Sequence, residues 1–243
     1  MLIKKHLFLL YLMLYAPFCI AENEMPGFFE ANYILYSNDT KVGLIERRFF
    51  QGEDGKFVFR SESKTTGLIS LFKKIHILEI SNWDLIESIF TPLHYTYNHT
   101  KKESKRIVEI NFNWQTKQIE NRINDKTWRM ETQPGVLDKL LYQLAIMSDL
   151  KSGIIPKIYL IADGGKIKEY QFEYIADEVI KTPLGMFNTI KLARHKLNSK
   201  QETYLWCAYD LSFLPIKVIN HEKDNRISTA IIKSINGLGL NSN

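Results

Sequence analysis

The side chains of this sequence that could do chemistry are few: six histidines, two cysteines and a scatter of carboxylates among 27 Asp and Glu residues. A metal held on one element needs ligands at short fixed spacing, as in His-Glu-x-x-His. His76, His94, His99, His195 and His221 lack that spacing, so no metal site is expected. Hydrolysis by a serine nucleophile needs a sharp turn such as Gly-x-Ser-x-Gly, and none is present. Neither the phosphate loop ending in Gly-Lys-Ser/Thr nor the dinucleotide Gly-x-Gly-x-x-Gly occurs, and Gly164-Gly165 reads as a hairpin turn. Glycoside hydrolysis needs two carboxylates that are neighbours only in space. Glu79, Glu109 and Glu173 fall where an exposed sheet face would place them. No cofactor and no enzymatic activity are expected. Cys207, within Tyr204-Leu205-Trp206-Cys207-Ala208, reads as a buried small hydrophobe rather than a reactive thiol.

Binding chemistry is better represented. Trp83, Trp114, Trp128 and Trp206, with Tyr95, Tyr97, Tyr170 and Tyr174, are many large rings for strands that must also bury Leu and Ile. Core packing accounts for them most simply. The alternative is an apolar cavity between sheet and helix, lined by Trp83, Tyr95, Tyr97, Trp114, Leu140, Leu144 and Trp206, where an acyl chain could sit. The net charge of +5 is dispersed, and nucleic acid is not an expected partner. The one basic cluster, Lys101, Lys102, Lys105 and Arg106, is interrupted by Glu103 and Ser104. It reads as a solvated turn, with phosphate or anionic lipid as the lesser alternative.

The elements that must position these groups are mostly strands, because runs rich in Val, Ile, Phe, Tyr and Thr alternate with turn residues about every ten positions. Phe29, Ala31, Tyr33 and Leu35 share a face of the first strand. Lys105–Trp114 alternates most cleanly, and Asn124-Asp125 marks a tight hairpin. One segment differs: Leu137, Leu140, Leu141, Leu144 and Met147 recur at helical spacing, predicting one amphipathic helix over Val136–Leu150 with Asp138 in its first turn. The expected fold is mainly β, a strongly curved antiparallel sheet, half-barrel or barrel-like, with that helix covering its concave face. A two-sheet sandwich would not need the helix.

The chain opens with Lys4 and Lys5, an apolar core from about Leu7 to Tyr15, and Cys19-Ile20-Ala21. Residues 1–21 therefore read as a secretory signal peptide, and 22–243 as a single exported domain. No later apolar run approaches the roughly 20 residues of a spanning helix, so no stable membrane span is expected. Lipidation at Cys19 is disfavoured by the bulky Phe18 before it. Only Cys207 would remain, so packing rather than a disulfide must hold the fold.

Several stations resemble a known family: Val42-Gly43, Ser81-Asn82-Trp83, Pro92-Leu93-His94-Tyr95-Thr96-Tyr97 and Asn111-Phe112-Asn113-Trp114. They continue through Gly135-Val136-Leu137-Asp138, Thr182-Pro183-Leu184-Gly185, Trp206 and Leu214-Pro215-Ile216-Lys217. In this order they resemble the bacterial exported proteins known as domain of unknown function 3108. Asn113 stands where that family often has Asp, which argues against a catalytic acid there. The resemblance implies a periplasmic, mostly β domain, broadly similar in fold to curved-sheet carriers of the cell envelope such as the Lol periplasmic carrier. The leading expectation is a non-catalytic envelope protein that binds an apolar or amphipathic ligand. An envelope protein-interaction or assembly factor is the alternative, and a hydrolase the third.

Overall fold

The structure is a computed structural model and describes residues 25–196, 201–222 and 225–238. The expected leader and Cys19 lie outside them. The first half of the chain is a run of hairpins: β1 (Phe29–Ser37), β2 (Thr40–Gln51), β3 (Phe57–Thr65), a one-turn helix α1 (Ile69–Phe72), β4 (Ile75–Ile86), β5 (Ile89–Lys101), β6 (Ser104–Asn113), β7 (Gln118–Ile123) and β8 (Lys126–Glu131). A three-residue strand β9 (Val136–Asp138) and helix α2 (Tyr142–Lys151) follow. The second half is β10 (Ile158–Ala162), β11 (Ile167–Thr182), β12 (Gly185–Lys196), β13 (Glu202–Ala208), β14 (Leu214–His221) and β15 (Ile227–Gly237).

All 15 strands form one sheet, ordered β8-β7-β6-β5-β4-β3-β2-β1-β15-β14-β13-β12-β11-β10-β9. Strand β15 pairs antiparallel with β1, Phe29 opposite Gly237, and so joins the two halves. Every pairing is antiparallel except β9 with β10. The sheet is curled rather than closed. Strand twist supplies part of the bend. Register shifts at Asn32/Tyr33, Leu35/Tyr36, Asn82/Trp83, Tyr174/Ala176 and Trp206/Cys207 supply more, since each bulge bends its strand. Two contacts hold the β9–β10 end of the sheet against the β4–β8 side. Ser81 on β4 donates to the Asp138 carboxylate on β9 at 2.5 Å. Gly165, in the β10–β11 turn, lies under the Trp128 indole of β8, so close that a Cβ there would sit 1.8 Å from Nε1.

The helix is shorter than its apolar spacing predicts. Val136, Leu137 and Asp138 belong to β9, paired with Leu160, Ile161 and Ala162. The Asp138 carboxylate then accepts from the backbone N–H groups of Leu140 and Leu141, both at 2.8 Å, turning the chain into α2. Nor is α2 two-faced: Leu144, Ile146, Met147, Ser148 and Leu150 are buried, and only Lys151 is exposed. It fills the concavity as a core element. Around it, inward residues of alternate strand positions complete the core, among them Phe29, Ala31, Tyr33, Phe59, Ile110, Leu192 and Leu205. Trp83 stacks between Phe49 and Phe90, with centroids at 5.7 and 4.9 Å.

Candidate functional site

Beyond the packed core, the concave face continues into an open mouth at one end of the curl. Its apolar side is a cleft of about 440 Å³ whose floor is Leu35 (β1), Val42 (β2), Ile69 (α1) and Ile75 and Ile77 (β4). Apart from Ile69, these are strand-end positions, where the inward alternation of each strand runs past the reach of α2. A cleft of this size lies within the range of small-ligand sites. Charge stands at its rim: Lys64, Lys73, and an Arg226–Glu222 ion pair at 2.6 Å. Beside the cleft, the Lys64 ammonium, with Arg60 and His76, holds the Glu62 carboxyl down at about 2 although burial opposes it.

Glu222 and Ser228 also line the neighbouring part of the mouth, a polar cavity of about 290 Å³ formed with Tyr170, Arg194, Thr203, Asn220 and His221. Lys139 and Asp163 continue it into a recess of about 120 Å³ beside Tyr95, Tyr97 and Arg106. Arg194 is the notable group. It occupies an inward position of β12, following Ile190 and Leu192, where the strand leaves the core for the mouth. Its guanidinium donates to the hydroxyls of Tyr142 at 2.8 Å and Thr203 at 2.6 Å. It lies 4.6 Å from the centroid of the Tyr170 ring and 5.8 Å from that of Tyr142. Thr203 in turn donates to Asn220 at 2.8 Å. The guanidinium is thus oriented by rings and hydroxyls, and among the described residues no carboxylate lies within 4 Å of it. A half-buried arginine with neutral partners is suited to receive an anion.

The seven residues expected to line a cavity do not meet at one place. Tyr95 and Tyr97 reach the recess of the mouth. Trp83, Leu140 and Leu144 are packed in the core, at 0%, 1% and 0% exposure. Trp114 borders a groove of about 670 Å³ on the β6–β7 side, donating to the Pro92 carbonyl at 2.8 Å. That groove is larger than any one part of the mouth, but its Arg129 and Glu120 neutralise one another at 2.9 Å. Trp206 faces outward between Lys191 and Lys217, 4.9 and 4.6 Å from its ring, and donates to Glu178 at 2.7 Å. Reasoning from aromatic content missed Arg194 and the isoleucines of the cleft. The available signal was a cation in phase with the inward residues Ile190 and Leu192.

Asp138 is the one deeply buried carboxylate among these groups. Burial pushes its pKa up to about 6, against the Ser81, Leu141 and Leu140 hydrogen bonds that favour the charged form. Nearby, Tyr95 donates to Glu79 at 2.5 Å, and burial raises the phenol well above its ordinary range. Among the described residues, no cluster of three or more His, Cys, Asp or Glu could hold a metal ion.

One bulged, curled sheet around a buried helix, open at a two-sided mouth, is a β-barrel-like architecture. The chain belongs to the family described as protein of unknown function (DUF3108), whose family model matches residues 33–228. No curated protein matches it. Among solved structures it is similar in fold to a beta-barrel-like protein of domain of unknown function DUF1849 from Brucella abortus, with TM-score 0.60, 6% identity, and coverage of 87% of this chain and 98% of that one. A candidate lipoprotein from Parabacteroides distasonis gives TM-score 0.33 at 10% identity over 87% of this chain and 97% of its own. A candidate exported protein with a YmcC-like fold from Bacteroides fragilis gives 0.29 at 9% identity over 86% and 95%. The last two are too distant to carry an argument. No helix among the described residues is long and apolar enough to cross a membrane.

Proposed function

We propose that this chain is a non-catalytic binding protein of the cell envelope, exported by residues 1–21 and folded over 22–243 as one domain, whose mouth holds an anionic amphiphile. The observation that carries the reading is the division of the mouth. An apolar floor of Leu35, Val42, Ile69, Ile75 and Ile77 adjoins a polar side where Arg194 meets only hydroxyls and rings. An acyl chain on the floor would remove apolar surface from water, at about 25 cal/mol per Å² buried. Its carboxylate or phosphate would gain charge-assisted hydrogen bonds from Arg194, with Lys139 on the same side. The core keeps the site in place because Tyr142 of the buried α2 is one of the groups that orient Arg194. The reading assigns no reaction to the bound molecule.

Native mass spectrometry of protein taken gently from the producing cells tests it. A copurifying amphiphile that disappears in Ile77→Trp, a variant that fills the floor, supports the reading. Protein that is ligand-free and takes up no acyl molecule contradicts it.

A second reading, a protein-interaction factor, draws on the β11–β12 hairpin. Val179 and Met186 are 60% and 62% exposed on one face of it. Crosslinking at Met186 that captures a stoichiometric envelope protein, undiminished in Ile77→Trp, would favour that reading over ligand carriage.

A further inference from the structure

The three most exposed large apolar side chains among the described residues lie within five positions of one another: Leu68, Leu71 and Phe72, at 78%, 76% and 79%. They belong to the β3–β4 connection. Ile69 of the same turn points the other way, into the cleft, so α1 divides its apolar residues between the mouth and solvent. A folded protein gains nothing in stability from three large apolar groups held in water, and exposure of this kind marks a contact surface.

Charge identifies the surface that fits. Lys73 and Lys74 follow Phe72 directly and are exposed. The β5–β6 turn lies beside them, its Lys102 N–H donating to the Lys74 carbonyl at 3.2 Å, while Lys101 is paired with Ile75. That turn carries exposed Lys101, Lys102, Lys105 and Arg106 against the single acid Glu103. Among the described residues none of these six cations has a carboxylate within 4 Å. An apolar tip backed by a collar of uncompensated cations complements an anionic bilayer surface: Leu and Phe enter the acyl boundary while Lys and Arg remain among the headgroups. A protein partner of acidic character would match the collar but not the fully solvated apolar tip in its centre.

We propose that Leu68, Leu71 and Phe72, with Lys73, Lys74 and the Lys101–Arg106 turn, dock the protein reversibly on an anionic lipid surface. The mouth then faces the membrane beside its own rim, because Ile69 and Lys73 line the cleft. The docking surface stands on its own observations and would survive a mouth that binds something other than an amphiphile.

Cosedimentation of the purified protein with unilamellar vesicles tests it, comparing phosphatidylglycerol–phosphatidylethanolamine with phosphatidylcholine alone. Binding to the anionic vesicles is expected to be at least about tenfold stronger and to weaken with added salt. Leu71→Ser with Phe72→Ser, and Lys73→Gln with Lys74→Gln, should each reduce it about tenfold, since both pairs are solvent-exposed and leave the core untouched. Arg194→Gln should leave vesicle binding intact, which separates this surface from the ligand site. Equal binding to both vesicle types, or full binding by the tip variants, overturns the proposal. So does a wild-type dimer that ignores vesicles and becomes monomeric in Leu71→Ser with Phe72→Ser, which would assign the tip to a second copy of the chain.

Discussion

Asp138 shows most directly how one residue couples fold to conditions. Its carboxyl titrates at about 6 in the folded protein because burial penalises the charge, against an ordinary value of 3.8. A carboxyl whose folded pKa is raised makes the folded state bind the extra proton, so stability rises as pH falls through the folded value. From about pH 7 to about pH 5 the gain from this group is roughly 1 kcal/mol, approaching roughly 3 kcal/mol below its ordinary value. Asp149, also raised by burial, acts in the same direction. Glu62, held at about 2, has the opposite sign: its contribution is present above its ordinary 4.5 and is lost as pH falls toward 2. Urea unfolding should therefore show higher stability near pH 5 than near pH 7. Asp138→Asn, which keeps an acceptor for Leu140 and Leu141, should flatten that rise; an unchanged slope would remove Asp138 as its source. Cys207 gives a simpler expectation. Its thiol is fully buried and burial pushes its pKa up, so a thiol reagent should label it only on unfolding, as mass spectrometry of the labelled peptide can show.

At the scale of elements, the curl depends on contacts between parts far apart in sequence. Gly165 has φ +76° and the Trp128 indole directly above it. Gly165→Ala should cost about 1–3 kcal/mol by thermal or chemical unfolding, from clash and left-handed strain together. Pairing it with Trp128→Ala should recover the clash component and leave the backbone strain; strict additivity would mean that the indole is not the obstacle. Helix α2 was legible as a helix from Leu140, Leu144 and Met147, but its start was not. Leu137 is in phase with those residues, yet it pairs with Ile161 in a parallel ladder that no local pattern announces. Because α2 is enclosed by the sheet, Leu144→Ala should cost about 2–5 kcal/mol, as for a side chain at 0% exposure. In strand β11 the apolar alternation of Tyr170, Phe172 and Tyr174 stops at Ile175. Beyond it, Ala176–Lys181 alternate only between half-buried and exposed, so neither face is fully buried and the residues carry no core signal. Similarly, Asn236 and Gly237 carry no strand-favouring side chain yet pair with Glu30 and Phe29, a partnership set by the opposite end of the chain.

For the whole molecule, the curved sheet was legible because each strand must turn one face inward, and the expectation of a helix covering the concave face followed from the same requirement. The candidate site was not, because aromatic residues are chosen for cores and for cavities alike, and Trp83 in its stack with Phe49 and Phe90 serves the core. What distinguishes the mouth is a charge out of place, Arg194 in line with Ile190 and Leu192, and apolar strand ends that α2 does not reach. The central claim is that this mouth takes a chain on one side and an anion on the other. The most direct measurement is calorimetric titration of myristate and of myristyl alcohol into the wild type and Arg194→Gln. The account predicts that the wild type binds the carboxylate at least about tenfold more tightly, as for a charge-assisted pair, and that the preference vanishes in Arg194→Gln. Equal affinity of the wild type for the two, or no uptake of either, would contradict it.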